Sequence, residues 1–307
     1  MKIQPLGKGK TKVSKLLQKA GRKKRRLKYI AVLPSFITLM NGACGFIAIV
    51  FASRSLGPDW AFLFSRGSNM TSFALAGYMI CLAMAADVLD GRVARLTRTT
   101  SSFGGQLDSL CDAVSFGVAP AFLMVKLVEY HLEHLHYVDR SFSIPIERVV
   151  FFSAIIYAMC AVVRLARFNV ENEEDATAHM HFAGLPSPAA AGVVVSLIIF
   201  HQQLLPWVAS RSQESHQTLE VITVFAFPVI TLLTGVLMVS RIRYPHLANQ
   251  LLRSKKTLPS LLAIFATGII VVWNIQFALF IGFCSFALYG LIRWFLTGIL
   301  KKPRSGS

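Results

Sequence analysis

Long apolar runs alternate with short polar connections along almost the whole chain. Runs of membrane-spanning length cover roughly 30–52, 72–94, 109–129, 148–166, 187–206, 220–240, 258–274 and 277–297. A hydrocarbon core about 30 Å thick takes roughly 20 helical residues, and lipid gives a backbone N–H or C=O no partner outside its own helix. Each run therefore predicts a transmembrane α-helix, and the fold expected is an all-α integral membrane protein of about eight spans. The last two are joined only through Trp273-Asn274-Ile275-Gln276, a very short turn. The pattern divides the chain into a polar tail (1–28), a membrane body (29–250), an additional C-terminal helix pair (251–300) and a short second tail (301–307). No internal repeat and no soluble domain stands out. Because the first apolar run is long enough to span by itself and follows a basic stretch, it is expected to stay in the mature protein as an anchor.

Composition agrees: 54% of the 307 residues are hydrophobic and 15% charged, with a mean hydropathy of +0.55. The net charge of +17 is unevenly placed, since twelve of the 32 basic residues lie between Lys2 and Lys28. Attraction to anionic lipid, about 1 kcal/mol per basic residue near the surface, accounts for such a tail without a nucleic-acid partner. With the N-terminus placed in the cytoplasm, Arg92, Arg95, Arg98, Arg164, Arg167, Arg241, Arg243, Arg253, Lys255, Lys256, Lys301, Lys302 and Arg304 fall on that side. Only Arg54, Arg66, Arg140, Arg148 and Arg211 fall on the other. The bias predicts a protein integral to the cell membrane with both termini on its cytoplasmic side. Five scattered cysteines without CxxC spacing, Cys111 among them, read as small apolar fillers. His131, His134 and His136 read as a polar rim at the outer interface, and the acidic stretch 171–181, with His179 and His181, as a solvated loop.

Against this apolar background, four of the seven aspartates lie within 26 residues: Asp87, Asp90, Asp108 and Asp112. At about 100° per residue, Asp87, Asp90, Gly91 and Ala94 share one face at the cytoplasmic end of the second span. Asp108 and Asp112 are spaced i,i+4 at the start of the third, with Gly104 one turn earlier. The polar turn "TRTTSS" between them folds the two acidic faces together. Carboxylates brought so close in a partly dry site do not all stay ionised without a cation. Oxygen-only ligands point to Mg²⁺ or Mn²⁺, in a pair of ions, and away from zinc. Gly91 and Ala94 leave the helix surface bare enough for a phosphate or nucleotide, and Arg95 beside them can neutralise phosphate charge. Ordinary helix-end acids are the plain alternative; it suits Asp108 alone but not two aspartates near a helix C-terminus, where the dipole disfavours them.

The stretch reads Asp87-x2-Asp90-Gly91-x2-Ala94-Arg95-x8-Gly104-x3-Asp108-x3-Asp112. It resembles, at every fixed position, the signature of the CDP-alcohol phosphatidyltransferase family. The resemblance implies an integral membrane enzyme that moves a phosphatidyl group from CDP-diacylglycerol to an alcohol and releases CMP. It also implies that Asp87, Asp90 and Asp108 hold metal and the CDP diphosphate and that Asp112 is the general base; the site expected adds Asp112 as a fourth metal ligand and Gly91, Ala94, Arg95 and Gly104 as contacts for CDP. A homodimer is expected by the same resemblance.

Flanking segments bear on the acceptor. "LDSLCDAVSFGVAPA" (107–121), "VRLARFNV" (163–170), "FAGLPSPAAAG" (182–192) and "MVSRIRYP" (238–245) are similar to the family's serine-accepting branch, the bacterial-type phosphatidylserine synthases. "LPSFITLMNGACGF" (33–46) is similar as well, although Ser35 stands where that branch would have asparagine. L-serine needs a cation for its carboxylate, which Arg164 and Arg167 are placed to offer; the alternative is that they snorkel toward the interface. The same choice holds for Arg241 and Arg243. Asn41 either meets the nucleotide or hydrogen-bonds a neighbouring helix. The rival readings are transfer to glycerol 3-phosphate, a phosphatidyl lipid or choline, and, from another class, a cation transporter with its aspartates near the bilayer midplane.

Overall fold

The computed structural model describes residues 35–53, 71–97, 102–134, 140–174, 184–210, 213–242, 244 and 274–300. All secondary structure among them is helical. The elements are α1 (Ser35–Ser53), α2 (Ser72–Thr97), α3 (Ser102–Asp112), a π-helical turn (Ala113–Val118), α4 (Ala119–His134), α5 (Arg140–Glu174), α6 (Ser187–Ala209), α7 (Gln213–Val239) and α8 (Ile275–Leu300). Seven of these units are long and apolar enough to cross a membrane, with α3, the π-turn and α4 forming a single span. The predicted span 258–274 and both tails lie outside the described residues. The third span begins at Phe103, about two turns before its predicted start, because the polar Gly104, Gly105 and Gln106 are already helical.

α6 occupies the centre, packing against α2, α7 and α8. Its sequence shows why: the unbroken run Ala190-Ala191-Gly192-Val193-Val194-Val195-Ser196 is small or apolar on every side of the helix, and all seven residues are buried. Outward faces instead carry large apolar side chains, such as Phe46 on α1, Phe151 and Phe152 on α5 and Phe225 on α7, as a lipid-facing surface requires. α7 ends beside the turn that leads into α6, whereas α8 begins at the opposite end, where Gln203 and Asn274 are paired. The two ends are called below the aspartate end and the far end.

The π-turn has an identifiable cause. Pro120 has no N–H for the carbonyl of Phe116 four residues earlier, and its ring crowds that carbonyl. The helix widens there, with Ala119 N–H bonding back to the carbonyl of Val114, and the Tyr157 hydroxyl of α5 donates to the Phe116 carbonyl at 3.0 Å. A defect in one helix thus becomes a hydrogen-bonded junction with another. It begins immediately after Asp112.

Candidate active site

α1 is the element that closes the aspartate end. Gly45 lies so near the π-turn that a Cβ on it would stand 2.6 Å from Ser115 Cα, and one on Gly42 would stand 2.9 Å from Cys111 Sγ. Small residues permit such an approach where lipid supplies no hydrophobic drive between helices. The approach carries two polar side chains inward. Thr38 donates its hydroxyl to Asp90 Oδ2 at 2.8 Å, and Asn41 donates Nδ2 to Asp112 Oδ1 at 2.8 Å.

Asp87 and Asp90 from α2 and Asp108 from α3 each place a carboxylate oxygen within 4.8 Å of the others. Like charges at that separation repel by roughly 3 kcal/mol per pair at an effective dielectric near 20. One Asp108 oxygen, Oδ1, is buried and has no hydrogen-bond partner. Three carboxylates, one of them with an orphaned oxygen, fit a divalent cation such as Mg²⁺ or Mn²⁺. Asp108 is also the seventh residue of α3. A first-turn helix acid is therefore not what it is.

Asp112 stands outside that trio, one turn deeper, buried and held by Asn41. A carboxylate only accepts, so the Asn41 amide must turn its NH₂ toward Asp112, which leaves Asn41 Oδ1 buried without a partner. Gly91 is exposed, and a Cβ there would meet nothing within 4 Å, so the α2 surface beside the trio is open. Gly104 lies half-buried on α3, one turn before Asp108. Ala94 and Arg95 continue the α2 helix, but their side chains fall outside the described residues.

The two arginines part company. Arg164 is half-buried, donates Nη1 to Ser187 Oγ at 2.9 Å, and lies within electrostatic range of Asp112. Arg167 is exposed. Arg241 is exposed too, and Arg243, His179 and His181 lie outside the described residues. On the side of α3 turned toward α5, a mainly apolar groove of about 310 Å³ opens between Leu110, Ala113, Val162 and Ala166, with the hydrogen-bonded pair Ser109 and Asn169 in its wall.

The sequence reading missed Thr38 and Ser187. Thr38 had a signal: Thr38, Asn41, Gly42 and Gly45 repeat the spacing of Asp87, Asp90, Gly91 and Ala94, polar at i and i+3, small at i+4 and i+7. The far end brings a correction. His131 is not part of an interfacial rim; it is fully buried between α4, α6 and α7, facing Glu220 at 3.6 Å and the His201 ring at 5.0 Å. Its partners come from two other helices, which single-helix periodicity does not display. His134 and His136 side chains lie outside the described residues.

Residues 31–239 match the model of the CDP-alcohol phosphatidyltransferase family. The chain belongs to the CDP-alcohol phosphatidyltransferases. All four aspartates, α1 and both arginines fall inside the matched region. Among curated relatives, a CDP-diacylglycerol–serine O-phosphatidyltransferase of Helicobacter pylori (strain ATCC 700392 / 26695) is 34% identical over 223 residues, 72% of this chain and 80% of the relative. One of the same name from Methanocaldococcus jannaschii is 29% identical over 270 residues, 87% of this chain and 96% of the relative. A third, from Saccharomyces cerevisiae, is 32% identical over 170 residues, 54% and 52% respectively. The aspartate end of this phosphatidyltransferase gathers a carboxylate trio, an open glycine surface, a separately held Asp112 and a half-buried guanidinium.

Proposed function

We propose that this phosphatidyltransferase moves the phosphatidyl group of CDP-diacylglycerol to the hydroxyl of L-serine, giving phosphatidylserine and CMP. The observation that carries the reading is the division of the aspartates into a trio and a separate, hydrogen-bonded Asp112. The names of the relatives support the acceptor.

Asp87, Asp90 and Asp108 would hold Mn²⁺ or Mg²⁺, one ion or two, which when bound would neutralise the diphosphate and draw charge from the leaving CMP. Gly91, Ala94, Arg95 and Gly104 would meet the CDP moiety along α2 and the start of α3. The serine hydroxyl oxygen attacks the phosphatidyl phosphorus, the bond from that phosphorus to the bridging oxygen breaks, and the bond's electrons leave with CMP. Asp112 takes the hydroxyl proton. Asn41 fixes Asp112 Oδ1, leaving Oδ2 for this transfer and setting its direction. Asn41 thus acts on the base; its free Oδ1 is the atom available to the nucleotide. Arg164 would meet the serine carboxylate; Arg167, exposed, has the weaker claim. The groove between α3 and α5 gives an acyl chain a lateral way in from lipid. The basic bias of the polar connections supports an aspartate end facing the cytoplasm, where serine is available. Assembly as a homodimer belongs to the same reading.

The test is CMP release by purified protein given CDP-diacylglycerol and Mn²⁺, with L-serine, glycerol 3-phosphate, inositol and choline in parallel. Release with L-serine alone is expected. Release only with another acceptor overturns the acceptor, and none with any of them overturns the reaction.

A further inference from the structure

The turn that enters α6 reads Gly184-Leu185-Pro186-Ser187-Pro188. Its backbone is tied to the end of α7: Gly184 N–H donates to the Ile242 carbonyl at 2.8 Å, and Leu185 N–H to the Leu237 carbonyl at 3.0 Å. Gly184 has φ 93°, and a Cβ there would collide with the Met238 carbonyl oxygen, so the turn needs glycine on both counts. Proline on each side of Ser187 fixes two further φ angles. Ser187 is 1% exposed, and its hydroxyl faces one atom of the site, Arg164 Nη1.

Which nitrogen it takes matters. A guanidinium grips a carboxylate with two parallel N–H groups, and the side-on pair is Nε with Nη2. Ser187 occupies Nη1, outside that pair. Nε is buried and has no hydrogen-bond partner. A buried unpaired donor on a cation is costly, about 1–3 kcal/mol or more, unless something answers it. Arg164 also lies within electrostatic range of Asp112, the residue assigned to the acceptor's proton.

We infer that Ser187 is a positioning residue for the acceptor. Anchored by the α7 end, it holds Arg164 by Nη1 so that the Nε–Nη2 edge is presented to a carboxylate on the incoming alcohol. The inference rests on the proposed transfer to L-serine and adds to it that selection of the carboxylate is set by the Gly184–Pro188 turn, a part of the chain remote from the aspartate signature. Ser187 touches neither substrate.

Steady-state CMP release tests this in four proteins: wild type, Ser187→Ala, Arg164→Lys, which keeps the charge without the planar fork, and the double variant. Ser187→Ala is expected to raise KM for L-serine about tenfold while kcat and KM for CDP-diacylglycerol stay within about twofold. In the Arg164→Lys background the same substitution should do nothing more, since the group through which it acts is gone. A loss spread alike over kcat and both KM values, an unchanged KM for L-serine, or an equal effect in both backgrounds overturns the inference. Ser187→Cys, close in volume and a poor acceptor, should shift KM in the same direction and serves if the alanine variant does not accumulate. Wild-type protein that ignores L-serine would instead strike the proposed reaction itself.

Discussion

Asp108 and His131 belong to the same span, one near each end of it, and both ends of the bundle bury polar groups from several helices. At the far end His201, Gln202 and Thr223 answer one another. Thr223 donates its hydroxyl to the Leu219 carbonyl at 2.8 Å, so it accepts from His201 Nε2 at 2.7 Å; His201 Nδ1 then accepts from Gln202 at 3.3 Å. His131 faces Glu220 at 3.6 Å. At the aspartate end, Asn41 Oδ1, Asp108 Oδ1 and Arg164 Nε are buried without partners, and three carboxylates crowd together. Burying polarity in a membrane bundle does not by itself mark a site. What separates the two ends is charge: at the far end a single carboxylate, Glu220, faces a histidine beside neutral hydrogen bonds that tie α6 and α7, whereas at the aspartate end three carboxylates of like charge crowd together, an arrangement that a cation would relieve.

Substitutions should break this contrast in a definite order. Asp108→Asn, nearly isosteric, is expected to cut kcat for CMP release by about a thousandfold or more while the protein stays folded, since the trio loses a charge it cannot replace; turnover above a tenth of wild type would remove Asp108 from the trio's work. Asn41→Ala comes next, with a loss of kcat of about 10–100-fold, because Asp112 keeps its charge but not its orientation. Thr38→Val is milder: the Mn²⁺ concentration giving half-maximal rate should rise about tenfold with kcat largely kept, as Thr38 steadies one Asp90 oxygen. An effect of Thr38→Val on L-serine KM alone would misplace it. The smallest effect on catalysis should come from His201→Leu at the far end. Activity per folded molecule is expected within twofold of wild type, with a thermal midpoint several degrees lower, from a loss of about 1–3 kcal/mol of buried hydrogen bonding. Equal catalytic losses at the two ends would erase the distinction.

The reach of the sequence follows the range of the physics involved. The all-helical class, seven of the eight expected spans and the four aspartates were legible because hydropathy and i,i+3 or i,i+4 spacing are local. The grouping of the aspartates was not: Asp112 lies outside the trio, and its partner Asn41 is 71 residues away in sequence. Asn41 had two open readings, and the hydrogen bond to a neighbouring helix is present. Thr38 repeats the spacing of the acidic face, but with a neutral hydroxyl that draws no notice in an apolar helix. Arg164 and Arg167 looked equivalent one turn apart; only packing against the α6 turn makes Arg164 half-buried and leaves Arg167 exposed. The π-turn was readable in principle from Pro120, whose missing N–H unbinds the Phe116 carbonyl, yet the cap by Tyr157 depends on α5. His131 was misjudged for the same reason.

Mn²⁺ binding measured by electron paramagnetic resonance in the presence of CDP tests the central claim most directly, because it reads the carboxylate trio without requiring turnover. Wild type and His201→Leu should bind Mn²⁺ equally, and Asp90→Asn and Asp108→Asn should lose at least about tenfold in affinity. Undiminished binding in both aspartate variants would contradict the account.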